Sequence, residues 1–309
     1  MKTPELLAPA VSLETLKTAV AFGADAVYIG GEGYDLWAEE KDFSTEEIKQ
    51  GITYAHEHGV KVYVTVNIVA HNRDLLDAER YLKELKTQEP DAVIVADPGM
   101  FMLVKEIYPE IDIHISTKAN NTNYLTCGFW YEQGARRITC GRGLSLREIK
   151  EIREKAPKDM ELGSFVHGRM CISSSGRQLF GNYFQGRAGE KDAGFHSGKW
   201  DYVISEEKRQ GEYLPVYENE RGTFIFHSKD LCMIEHIPEM VEAGVDSLII
   251  EGRMDVGYCA AVVEAYRMAV DDYLNSEEKY RSGIKEYLAK ISQHTHRNFT
   301  TGFYFHQHT

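Results

Sequence analysis

Several residues able to bind anions, orient carbonyl groups or move protons stand directly after short apolar runs in this chain. In order they are Gly30 to Gly33 with Glu32 among them, Asn67, Asp97, then Ser116, Thr117 and Lys118 with Asn120, Asn121 and Asn123, then Arg142, His167, Lys229 with Asp230, and Glu251 with Arg253. Arginine and lysine attract carboxylates or phosphates, asparagine offers a donor and an acceptor on one group, and glutamate, aspartate or histidine can exchange a proton. As a set they suit a small anionic or carbonyl-bearing molecule. Each also has a structural reading. His167 ends an apolar run and can be a hydrogen-bonded core histidine; Glu251 and Arg253 fall on one side of an extended chain and can simply pair. The glycines after Ile29 suit a tight turn and match neither dinucleotide nor phosphate-loop spacing. Ser173, Ser174 and Ser175 lack the glycine frame of a nucleophile elbow, and no His-Glu-x-x-His zinc motif occurs.

Residues at strand ends need strands and a frame that gathers their ends. Apolar, β-branched runs occur at Glu5–Ala10, Ala26–Gly30, Lys61–Asn67, Ala92–Ala96, Asp112–Ser116, Arg137–Gly141, Leu162–His167 and Ser247–Glu251. Amphipathic stretches alternate with them: Ser12–Phe22, Ser44–His58, Leu75–Gln88, Met100–Tyr108, Tyr124–Gln133 and Ser145–Lys155. Ser44 with Glu47, and Ser145 with Glu148, have capping-box spacing, and glycines 23, 59, 134 and 244 suit helix ends that hand over to the next strand. Eight strands with helical crossovers predict an α/β chain folded as a (β/α)8 TIM-like barrel, a single domain over 1–309, with an open wound sheet as the alternative. The rhythm breaks between about 169 and 224, an irregular insertion after strand 7 of the length that usually carries function. Phe224–His227 reads as a strand, Asp230–Ala243 as a helix, and 258–309 as a mostly helical tail.

The 309 residues are 43% hydrophobic and 27% charged, which excludes a disordered or fibrous chain. The opening residues lack a secretory layout and no run approaches the ~18 apolar residues of a membrane span, so a cytoplasmic protein without membrane contact is expected. Five scattered cysteines argue for reduced thiols over a disulfide frame. A net charge of −13 disfavours a general nucleic-acid coat. Between His167 and Trp200, however, Arg169, Arg177, Arg187, Lys191 and Lys199 face only Glu190 and Asp192, so any RNA contact is local.

The run from Ser164 through His167, Arg169 and Cys171 to Arg177 resembles the peptidase U32 family. Ser228–Cys232, Ile250–Arg253, Tyr266 with Arg267, Thr300–Phe303 and the opening Glu5–Ala10 with Gly23–Gly30 extend the resemblance over nearly the whole chain. It implies either collagenase-like peptidase activity or hydroxylation of tRNA, rRNA or a quinone precursor with prephenate or another oxygen-independent donor. Hydroxylating relatives hold an iron–sulfur cluster on four cysteines, which fall here on Cys171, position 178, position 194 and Cys232, with a further one at 198. This chain has Gln178, Gly194 and Gly198, so an intact four-cysteine cluster is not expected. Trp37, Lys118, Gly143 and Ile249 also depart from the family's usual Arg, Gln, Glu and Lys.

On that resemblance His167, Glu251 and Asp230 are the candidate catalytic residues, and Asn67, Arg187 and Arg253 the candidate substrate ligands, joined by Lys118 from its strand-end position. Cys171 and Cys232 remain as possible metal ligands, with His196 or His227 beside them. Three functions stay open. The first is a component of a tRNA or RNA hydroxylation system using a small carboxylate donor such as prephenate. The second is a U32-type peptidase, and the third a non-catalytic partner of a larger, cluster-bearing paralogue.

Overall fold

Strands buried on both faces are written as continuous apolar runs, and here those runs close on one another. The structure is a computed structural model that describes residues 3–31, 33–34, 43–68, 70–181, 199–208, 210–219, 222–252, 254–295 and 297–306, with backbone alone at 199–201. β1 (Glu5–Ala10), β2 (Ala26–Gly30), β3 (Lys61–Thr65), β4 (Ala92–Val95), β5 (Asp112–Ile115), β6 (Arg137–Thr139) and β7 (Glu161–Ser175) pair in parallel, each with the next. β11 (Ser247–Ile250) then pairs in parallel with both β7 and β1, closing an eight-stranded barrel. The eight expected strands are those eight.

Helices α1 (Leu13–Ala21), α2 (Thr45–Glu57), α3 (Asn72–Lys86), α4 (Pro98–Ile107), α5 (Tyr124–Glu132) and α6 (Leu146–Lys155) fill the crossovers, with α7 (Ile237–Glu242), α8 (Val256–Asn275) and α9 (Glu277–Ser292) after the insertion. The Ser44 and Ser145 capping boxes form as their spacing predicts. Alternation sorts the core into two layers: Leu6, Val27, Ile29, Val62, Val64 and Val93 face the helices, while Leu7, Ala26, Tyr63, Ala92 and Ile249 fill the barrel.

An aspartate recurs just before three strands. Asp25 accepts Leu6 N (2.7 Å), Asp91 accepts Val62 N (2.8 Å) and Asp246 accepts Leu162 N (2.9 Å), so each carboxylate serves the amide of the second residue of a neighbouring strand. Each also meets a basic side chain from a helix: Arg267, His56 and Arg153 respectively. These aspartates therefore set register at the amino-terminal end of the barrel.

The insertion begins where expected, but its described residues are regularly paired. β7 runs on past the barrel to Ser175; β10 (Gly222–Cys232) lies antiparallel to it, then β9 (Tyr213–Asn219) and β8 (Lys199–Ser205). Glu218 on β9 is buried and accepts Phe180 N (3.0 Å) and Gly181 N (2.7 Å), tying the end of this ribbon down. The helix expected from Asp230 starts later. Asp230–Cys232 still belong to β10 because β7 and the short β12 (Phe299–Thr300) take up their backbone groups, and a 3-10 turn at Ile234–His236 precedes α7.

At the amino-terminal end Arg137 is 5% exposed and bonds Glu5 and Glu161, while Tyr63 Oη (2.6 Å) and Ser247 Oγ (2.9 Å) donate to Glu5. Burial pushes the Glu5 carboxyl up, but Arg137, Tyr63 and Ser247 outweigh it and leave its pKa below the ordinary value. A carboxyl depressed in the fold stabilises fully above its unfolded pKa, and that contribution fades as pH falls through the folded value. Urea midpoints of the wild type should therefore drop as pH falls below the ordinary glutamate range, and Glu5→Gln should start lower and decline less steeply. A parallel decline in both proteins contradicts this.

Candidate active site at the carboxyl end of the barrel

The pairing of β11 with β7 skips one residue: Ile249 faces Phe165, but Ile250 faces His167. Strict alternation would put His167 on the Phe165 face, inside the barrel; the irregularity turns it outward. There it is fully buried, with Nε2 2.8 Å from Tyr258 Oη and its ring against Tyr258, Tyr266 and Phe299. Burial lowers its pKa to about 3, so the imidazole is neutral near pH 7.

Phe165 stays inside and carries the centre of the site. The Arg142 guanidinium lies 4.2 Å above its ring, and two of its N–H groups donate to the two carboxylate oxygens of Glu251. Burial works against the Arg142 charge, and Glu251 outweighs it, so the guanidinium sits above its ordinary pKa. Tyr28 Oη donates to Ile250 O (3.0 Å) just below. Lys118, after β5, places Nζ 5.2 Å from the Phe224 ring centre on the ribbon. Burial pushes the Cys171 thiol up, Arg142 and Lys118 pull it down, and Glu251 adds to the rise.

Two buried asparagines follow β3 and β5. Asn121 Nδ2 donates to Ser116 O (3.0 Å) and Thr139 O (2.8 Å), fixing its amide between β5 and β6. Asn67 Nδ2 donates to Ser116 Oγ (3.0 Å). Both side-chain carbonyls are buried and, among the described residues, accept no hydrogen bond. A buried amide oxygen left over is an acceptor held ready for a ligand's hydroxyl or amine, or for water.

The structure pairs Glu251 with Arg142, sets Lys118 over Phe224 and Asn67 at a barrel strand end, and turns the His167 ring against Tyr258 although its backbone oxygen accepts Glu251 N (2.8 Å). Asp230 accepts Arg297 Nε (2.6 Å) on the outer side of β10. Arg187, Arg253, His196, Trp37 and positions 194 and 198 lie outside the described residues. Glu251 pairs with Arg142, a strand-end residue to which no role was given. The one sequence signal for it was a lone arginine between Gly141 and Gly143 directly after a barrel strand.

The residues described do not fit the cluster that the family resemblance implies. Gln178 donates to Asn219 O (3.1 Å) where a thiolate would be needed. Cys171 packs with Tyr217, Phe224 and Phe226 and donates to Ser173 O (3.3 Å), whereas Cys232 belongs to the main core, its thiol pushed up to about 11 by burial. His227 accepts Lys229 N (2.9 Å). No group of three His, Cys, Asp or Glu able to hold a metal occurs among the described residues.

The family profile described as Peptidase family U32 matches residues 11–309. The tRNA hydroxylation protein P1 of Bacillus subtilis (strain 168) is 40% identical over 304 residues, covering 98% of this chain and 71% of that protein. The tRNA hydroxylation protein P2 of the same organism is 33% identical over 308 residues, covering 99% of this chain and 98% of that protein. Among solved structures, the U32 peptidase Mk0906 superposes with a TM-score of 0.51 at 16% identity, over 82% of this chain and 95% of that one, a likeness of fold. No helix among the described residues is long and apolar enough to cross a membrane.

Proposed function

Because the chain belongs to peptidase family U32, we propose that it is a component of a tRNA-hydroxylation system that binds a small carboxylate oxygen donor, such as prephenate, at the carboxyl end of its barrel. The observation that carries this reading is the Arg142–Glu251 pair on Phe165, with Lys118 over Phe224 and two buried amide oxygens that accept no hydrogen bond among the described residues. Arg142 and Lys118 supply the positive charge that a carboxylate needs, and Phe165 and Tyr28 offer apolar and aromatic surface for its carbon frame. Asn67 Oδ1 suits the donor's hydroxyl. Glu251 holds Arg142 in one orientation and is the carboxylate best placed to exchange a proton there. The basic segment between 167 and 200, joined to the β7–β10 ribbon, is the part suited to the tRNA backbone.

Two relatives in Bacillus subtilis, P1 and P2, support a working arrangement in which this chain acts in the cytoplasm beside a larger paralogue that carries the cluster. The peptidase reading has the family name behind it, and gelatin incubated with purified protein tests it. For the main reading, nucleoside mass spectrometry of tRNA should show a hydroxylated base lost on deletion of the gene and restored from a plasmid. An unchanged nucleoside profile on deletion overturns it.

A further inference from the structure

The segment after α9 returns to the barrel mouth and is stitched there at both ends. Arg297 donates to Asp230 Oδ1 (2.6 Å) and to His227 O (2.7 Å), and Phe299–Thr300 pair with Asp230 and Leu231 of β10. The chain then turns at Gly302, whose φ of +58° suits glycine and whose Cβ position would meet Leu231 Cδ1 at 3.3 Å. Tyr304 follows, 9% exposed, and its backbone oxygen accepts Leu146 N (3.0 Å), the first amide of the helix that follows Arg142.

The phenol of Tyr304 has one proton, and it goes to the carbonyl of Phe165; Ser164 Oγ, 2.8 Å away, then donates to the phenol oxygen. Phe165 is the residue whose ring lies under Arg142. Gly302, Phe303 and Tyr304 also line one side of a small cavity whose other side includes Arg142 and Phe165. Phe165 sits one residue before the skipped position in the β7–β11 pairing, where the ladder itself holds the strand least firmly.

We infer that residues 297–306 form a wall of the Arg142–Glu251 site, and that Tyr304 is a positioning residue that fixes Arg142 through Phe165. The function assigned to this wall rests on the carboxylate-binding reading given above; the positioning itself does not. Loss of the phenol hydroxyl frees the Phe165 carbonyl, lets the ring beneath the guanidinium shift, and opens Arg142 to reagents.

Labelling of arginines with phenylglyoxal, read by peptide mass spectrometry, separates these statements. In folded Tyr304→Phe the rate at Arg142 should rise about tenfold, the shift that one lost buried hydrogen bond allows, while Arg137 at the far end of the barrel stays at its wild-type rate. Phe165→Leu, which removes the ring and keeps Tyr304, should expose Arg142 in the same selective way. Unchanged labelling of Arg142 in either folded variant overturns the proposal, as does a parallel rise at Arg137, which signals general loosening. Prephenate added to the wild type should slow Arg142 labelling. If it does not, the carboxylate-binding reading fails, while the ratio between variant and wild type still decides the role of Tyr304.

Discussion

Arg142→Met should reduce tRNA hydroxylation in a complemented deletion strain by roughly a hundredfold or more, the scale on which a single preorganised donor acts. It should also destabilise the protein by about 3–5 kcal/mol, because Glu251, 8% exposed, is left as an uncompensated buried charge. These two losses have different causes and can be parted. In the double variant Arg142→Met with Glu251→Leu the stranded carboxylate is gone, so urea stability should return most of the way to wild type while hydroxylation stays lost. Recovery of hydroxylation along with stability would mean that the pair is scaffolding and that the ligand is held by other groups.

Arg137→Met is expected to have the larger effect on folding and little direct effect on chemistry. Its guanidinium meets Glu5 and Glu161 at the start of β1 and β7, and both carboxylates are mostly buried, at 15% and 18% exposed. Removing the cation strands two acids together, so a cost of at least about 3–5 kcal/mol follows, with a lower urea midpoint and weaker expression. Glu5 also holds Tyr63 and Ser247, so the damage reaches β11 beside β1 and β3 beyond β2. Folded protein obtained at low temperature should still hydroxylate tRNA, since Arg137 lies at the opposite end of the barrel from Arg142. Loss of activity in the fully folded variant contradicts that separation.

The barrel was legible because its strands are buried on both faces and so read as plain apolar runs, each handed on from a capped helix. Closure was not, since it depends on β11 pairing with a strand some 240 positions earlier, as Glu5 with Ser247. Local signals carry no record of such a contact. Of the ribbon after β7, Phe224–His227 in β10 was legible, whereas β8 and β9 escaped detection because strands such as Tyr213–Asn219 mix apolar and charged residues without a clean period. Strand ends drew attention to Asn67, Lys118, Glu251 and Arg142. Which of them meet was hidden, because Arg142 and Glu251 are 109 residues apart and Arg253 beside Glu251 offered a nearer partner. His167 shows the opposite failure: its type and place at a strand end suggested chemistry, and a one-residue irregularity in the ladder turned it into the helix layer against Tyr258. Period-two reasoning has no means of seeing a single skipped pair.

We propose that the mouth of this barrel recognises a small carboxylate through Arg142. Calorimetric titration of the purified chain with prephenate measures that directly. Saturable binding at one site is expected, weakened at least about tenfold in the Arg142→Met, Glu251→Leu protein. Absence of binding to the wild type, or equal affinity in the two proteins, contradicts it.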